Sequence, residues 1–135
     1  MFKSIGTLRY FGDPYKLIVE IDPEISKYYQ SLIPPYILYN KQRYEPHISV
    51  IRKEIIPNLQ LWGKYEGQDF EFEYDNFIYM SKNYLWLNVF SGDLEIIRLE
   101  LGLTKTSETT RSPDGRHKFH TTIGNFKNND RLDIR

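Results

Sequence analysis

"KFHTTIGNF", residues 118–126, is a short apolar segment that carries a histidine and, two places on, a hydroxyl. "EPHISVI", residues 45–51, repeats the arrangement: His47, one residue, Ser49, then apolar Val50, matched in turn by His120, Thr122 and Ile123. The chain has three histidines, and two of them head this pattern. Both segments read as strands, in which side chains two apart share a face about 6.5–7 Å apart along the chain. His47 and Ser49 therefore face together, as do His120 and Thr122. Ile48 and Val50, like Phe119, Thr121 and Ile123, turn to the other face and can anchor the strand in a core.

Outward from these segments, "YKLIVEI" (15–21) is a β-branched apolar run that suits a buried strand. Asp22-Pro23-Glu24 opens a helix, with Asp as N-cap, Pro at the first helical position and Glu in the first turn. Ile25, Tyr28, Tyr29 and Leu32 supply its apolar stripe, and Pro34-Pro35 stops it. "FEFEYDNFIYM" (70–80) starts with strand alternation, and "YLWLNVF" (84–90) is expected to pair with it as a hairpin. Ser91 or Asp93 can cap a second helix through Leu94, Ile97 and Leu101, with Gly102 placed to end it. The polar stretch 104–116 contains "SPDG", a type I turn signal, and "NNDRLDIR" closes the chain as a loose tail or short terminal element. Strand, helix, then strand with His-x-hydroxyl occurs at 15–52 and again at 84–126. The order predicts an α+β domain with an architectural repeat.

At 135 residues, 40% of them hydrophobic, the chain has the size and apolar content of one domain with a real core. Formal net charge is zero, which argues against broad binding along a nucleic-acid backbone but leaves room for a small anion held by local cations. With no cysteine, thiolate nucleophiles and cysteine-based metal sites are excluded. No apolar run approaches membrane-spanning length, and "MFKSIGTLRY" lacks the apolar core of a signal peptide, so a soluble cytoplasmic protein is expected.

If the two histidine strands are neighbours, two imidazoles and two hydroxyls converge on one patch. That patch suits a phosphodiester. Transfer at phosphorus needs a proton taken from the attacking oxygen and another given to the leaving oxygen. Imidazoles with an unperturbed pKa of about 6.5 can do both near neutral pH. The Ser49 and Thr122 hydroxyls can donate to the non-bridging oxygens, where negative charge builds. The chemistry requires no metal or cofactor. His117 lies three residues from His120, which in a strand sends it to the opposite face and makes it a poor third partner.

Two His-x-Ser/Thr-apolar motifs, one in each half of a repeated α/β unit, resemble the 2H phosphoesterase superfamily. It includes RNA 2′,3′-cyclic phosphodiesterases, RNA ligase-associated esterases and small viral enzymes. The resemblance implies two pseudo-symmetric lobes, about residues 10–60 and 70–126, each an antiparallel-rich sheet with a packed helix, around a central cleft. It also implies metal-independent catalysis by His47 and Ser49 in "HISV" and by His120 and Thr122 in "HTTI". The compact size and the "GTLRY" start are most similar to phage anti-CBASS phosphodiesterases, which cleave 3′–5′ linkages of cyclic oligonucleotide defence signals. That likeness implies a cyclic di- or trinucleotide as substrate and the host bacterial cytoplasm as location. The rivals are an RNA-end 2′,3′-cyclic phosphodiesterase, a binding module that sequesters a cyclic nucleotide uncut, and a structural or interaction domain.

Three further residues are candidates for holding substrate. Trp86 shares a face with Tyr84 and Asn88 in "YLWLNVF" and is either a core residue or a stacking platform for a base. Tyr10 in "LRYFG" is a comparable stacking candidate. Lys118 shares the His120 face and is the best phosphate clamp among Arg111, Arg116 and Lys118. Arg52 and Lys53, which follow the first motif, are also candidate phosphate clamps, although strict alternation puts Ile51 on the His47 face and leaves Arg52 off it unless the strand twists or ends first. The 104–116 stretch is either a lid over ligand or an ordinary loop.

Overall fold

The structure is a computed structural model describing residues 1–127, so the "NNDRLDIR" tail lies outside the described residues. Seven strands form one antiparallel sheet: β1 (Phe2–Phe11), β2 (Lys16–Glu20), β3 (His47–Arg52), β4 (Asp69–Tyr74), β5 (Tyr79–Met80), β6 (Tyr84–Phe90) and β7 (Phe119–Asn125). Two helices, α1 (Pro23–Ser31) and α2 (Gly92–Glu100), complete an α+β fold. Asp22 caps α1 by accepting from the Glu24 amide at 2.9 Å, and Ser91 caps α2 by accepting from the Leu94 amide at 3.3 Å. Gly102, at φ 85°, takes the left-handed conformation that ends α2. The α1 stripe differs from its expectation: Tyr29 is buried, while Tyr28 and Leu32 lie on the exposed side. None of the helices among the described residues is long and apolar enough to cross a membrane.

The predicted 70–80 strand is interrupted after Tyr74, and its two pieces, β4 and β5, each pair with β6. The ladder runs β3-β2-β1-β4-β6, with β7 on the far side of β6. Its centre is β1, which pairs with β2 and β4 and which the sequence pattern does not announce. Only Gly6 and Leu8 of β1 are buried, so no apolar run marks it. Gly6 is required by crowding: a Cβ there would lie 2.3 Å from Cγ1 of Val19 and 2.8 Å from the Glu20 carbonyl oxygen.

Cross-strand partners share a face of the sheet. Leu8, Val19 and Ile48 form one such row, and Tyr74, Val89 and Phe119 continue the same face toward the other end of the ladder. This face packs Leu94 and Ile97 of α2 and its C-cap residue Leu101, and Tyr29 of α1 packs with Leu85, Leu87 and Ile123. Each fully buried Leu, Ile or Phe contributes roughly 1.5–3 kcal/mol of transfer free energy. The opposite face carries His47 beside Glu20 and Thr7, Ser49 beside Ile18 and Arg9, and His120 beside Asn88. Although β3 and β7 end the ladder, their Cα atoms approach within 8 Å. The sheet therefore curls until its two ends meet, and both histidines sit on the helix-free face beside that seam.

Candidate active site

Both motif strands break register at the same motif position. On β3 the ladder to β2 passes from Ser49 opposite Ile18 to Ile51 opposite Leu17, leaving Val50 as an extra residue. On β7 the ladder to β6 passes from Thr122 opposite Trp86 to Gly124 opposite Leu85, leaving Ile123 extra. These are β-bulges, which re-aim the side chains that follow them. Val50 and Ile51 are consecutive and both buried, so Arg52 returns to the face of His47 and Ser49. Strict alternation put Ile51 there instead. The apolar pair Val50-Ile51 does not announce the bulge, because adjacent residues are also buried in β6, where Leu85, Trp86 and Leu87 are all covered.

Each bulge exposes a backbone carbonyl, and each carbonyl is met by a side chain from the helix of the other strand-helix-strand unit. Gln30 of α1 donates from Nε2 to the Ile123 carbonyl at 2.9 Å, and Arg98 of α2 donates from Nη1 to the Val50 carbonyl at 2.8 Å. Arg98 is fully buried. Its remaining bonds go to both carboxylate oxygens of Glu54, at 2.8 and 2.7 Å, and to the carbonyls of Thr104, at 2.7 Å, and Thr106, at 3.4 Å. One guanidinium thereby joins α2, the end of β3 and the start of the 104–118 segment. Nothing in the sequence marks Arg98 as buried, because an arginine late in a helix ordinarily faces solvent.

The 104–116 segment is fastened down rather than open. Thr110 and Ser112 are buried, and the Thr109 hydroxyl donates to the Arg52 carbonyl at 2.6 Å. Its expected turn is present, with the Gly115 amide donating to the Ser112 carbonyl at 2.8 Å. The segment also orients a histidine. His120 Nδ1 lies 3.2 Å from the Thr110 carbonyl, and His47 Nδ1 lies 2.9 Å from the Glu45 carbonyl. A carbonyl oxygen can only accept, so each Nδ1 carries a proton and each neutral ring keeps its Nε2 lone pair for an external group.

The rings are electrostatically coupled. His120 keeps some exposed surface but is closely crowded, and burial is the main cause that lowers its pKa from 6.5 to about 4. The bond to the Thr110 carbonyl opposes this, the charge of His47 adds to it, Asp114 opposes it, and Arg52 adds to it. His47 and Arg52 thus lie close enough to His120 to disfavour its protonated form. Burial alone would raise the Asp114 pKa, but bonds from the Ser112 hydroxyl and the Arg116 amide, with the charges of His117 and Arg116, hold it below its usual value. Ser49 and Thr122 are half-buried, and among the described residues neither hydroxyl takes a hydrogen-bond partner.

The predicted substrate-holding residues fare differently. Trp86 lies on the His120 face but is 1% exposed, with Tyr79 stacked on its ring at 5.9 Å and its Nε1 donating to Asn88 Oδ1 at 2.9 Å. No face of that indole is open to a base; it is core. Tyr10 pairs with Leu17 and so occupies the helix-covered face, away from His47. There it packs edge-on against Trp62, and burial pushes its phenol up to about 12. Lys118 is ion-paired to Glu95 of α2, so its charge is already neutralised. His117 packs edge-on against Phe90 at 5.5 Å. A surface depression of about 530 Å³ lies beside Lys118, Glu73, Phe90 and Glu95, and neither His47 nor His120 lines it. Among the described residues, no three His, Asp or Glu side chains are grouped to hold a metal ion. No protein-family model matches the chain, and no curated protein or solved structure matches it.

Proposed function

We propose that the protein is a metal-independent phosphodiesterase that cleaves 3′–5′ linkages of small cyclic oligonucleotides, with His47 and His120 as its acid–base pair. The observation that carries the reading is the matched presentation of the two rings. Each is oriented through Nδ1 by a backbone carbonyl, each stands two residues before a half-buried hydroxyl, and the charge of one is felt at the other. Such orientation is what a general acid or base needs, because it fixes the tautomer and directs the reactive nitrogen.

One imidazole takes the proton from a ribose 2′-hydroxyl, and that oxygen attacks the adjacent 3′-phosphate. The bond from phosphorus to the 5′-oxygen breaks as the second imidazole gives that oxygen a proton. The products are a 2′,3′-cyclic phosphate and a free 5′-hydroxyl. His120, which burial holds neutral near neutral pH, suits the base role and leaves the acid role to His47. The negative phosphodiester favours the protonated form of the acid once substrate is bound. Ser49 and Thr122 donate to the non-bridging oxygens.

The two-lobe architecture with a central cleft belongs to the same proposal. It is supported by the repeated strand-helix-strand order, the matched bulges at Val50 and Ile123, and the reciprocal clamps from Arg98 and Gln30. The functional test is turnover of cyclic dinucleotides, cyclic trinucleotides and RNA 2′,3′-cyclic ends in excess EDTA. Cleavage of the cyclic oligonucleotides is expected. Cleavage of RNA ends alone would favour the RNA-processing rival, and bound cyclic nucleotide recovered intact would favour sequestration. Loss of all turnover with chelator would remove the metal-free mechanism.

A further inference from the structure

The bulge at Val50 places Arg52 on the face of His47 and Ser49, directly opposite Lys16 on β2. Like charges set opposite each other in a ladder repel. Among the described residues neither cation has a carboxylate partner, and Lys16 instead lies over the Phe11 ring at 4.8 Å. The pairing does nothing evident for the fold. The backbone of Arg52 is nevertheless held on both sides. Its carbonyl accepts from Thr109, and Lys53 turns the chain away at once through φ 56°, a conformation uncommon outside glycine. Other cations on the sheet are committed: Arg9 pairs with Glu20 and Lys118 with Glu95. The matched position on the second motif is Asn125, whose amide nitrogen donates to Gln42 at 2.6 Å and whose oxygen accepts from the Lys127 amide at 3.2 Å. The repeat is thus asymmetric, and its uncompensated positive charge lies beside the first motif.

We infer that Arg52, with Lys16 beside it, is an anion-binding site that holds the non-bridging oxygens of the substrate phosphate between the two histidines. A planar guanidinium can donate two parallel hydrogen bonds to one phosphate, which fixes its orientation as well as its position. This deepens the phosphodiesterase reading and rests on it for the identity of the anion, but the site itself can be probed without turnover.

The test titrates inorganic phosphate and, separately, uridine 2′,3′-cyclic monophosphate into the protein while the imidazole signals of His47 and His120 are followed by NMR. Wild type, Arg52→Lys, Arg52→Ala and Lys16→Ala are compared. Loss of a charge-assisted bond predicts that Arg52→Ala weakens both probes by about 10- to 100-fold, with Arg52→Lys intermediate because it keeps charge but not the fork. Removing Arg52 also takes away a charge that disfavours protonated His120, so the His120 titration moves up in the free protein. The guanidinium makes no contact that the fold needs, and circular dichroism checks that each variant is folded. Phosphate affinity unchanged in Arg52→Ala would overturn the inference. Arg52-dependent phosphate binding in a protein that cleaves none of the cyclic oligonucleotides would uphold the anion site and sink the phosphodiesterase reading instead.

Discussion

Arg98→Met is the perturbation that the architecture opposes most strongly. The guanidinium is fully buried, and the Glu54 carboxylate facing it is 15% exposed, so little water is at hand to replace the lost partner. Removing one member of such a pair typically costs about 3–5 kcal/mol, because the other charge stays buried and unpaired. The carbonyls of Val50, Thr104 and Thr106 lose their donor as well. Against a typical domain stability of about 5–15 kcal/mol, this leaves a marginal fold. The double variant Arg98→Met, Glu54→Leu removes both charges together and is expected to lose less than the two single changes summed. Urea denaturation of the four proteins in this cycle measures the coupling directly. A loss below about 0.5 kcal/mol in Arg98→Met, with no coupling to Glu54, would refute the account, since that is the size expected of ordinary surface changes.

Stability should fall as pH drops from 6.5 toward 4, because over that window the unfolded chain binds a proton that native His120 refuses. The contribution reaches at most about 3 kcal/mol, and the difference between wild-type and His120→Asn denaturation curves isolates it from carboxylates common to both. An unchanged difference across the window would contradict the depressed pKa. Trp86→Phe should lower stability by about 1–3 kcal/mol by leaving the buried Asn88 oxygen without its indole donor, while KM stays unchanged. A large KM increase would return Trp86 to the substrate. Gly6→Ala should cost about 1–3 kcal/mol, seen as a lower denaturation midpoint, because the new methyl meets β2 backbone that cannot move aside cheaply.

Sequence pattern made the strands of the motifs legible. "YLWLNVF" matches β6 residue for residue, "EPHISVI" contains all but the last residue of β3, and the caps at Asp22 and Ser91 formed as their side chains require. These features are local. What stayed hidden depends on neighbours. The β1 strand carries neither a continuous apolar run nor a clean alternation, and its place at the centre of the sheet depends on the close approach to β2 that Gly6 permits. Trp86 and Tyr10 were plausible platforms until the ladder showed what covers each: Tyr79 for the first, the helix-side core for the second. Arg52 was misplaced by counting in twos through a bulge, and Arg98 was overlooked because only the folded chain brings Glu54 and three carbonyls around it. Spacing alone marks the two histidines and their hydroxyls as candidates; the carbonyls that orient the rings carry no such mark in the sequence.

The most direct test of the two-histidine mechanism is a crystal structure of the protein with a non-hydrolysable phosphorothioate cyclic dinucleotide. The mechanism predicts His47 Nε2 and His120 Nε2 on opposite sides of one phosphorus, each within about 2.6–3.2 Å of an oxygen or sulfur attached to it or of the attacking 2′-oxygen. Rings that touch different phosphates, or a ligand seated in the depression beside Lys118 with neither ring in reach, would contradict it.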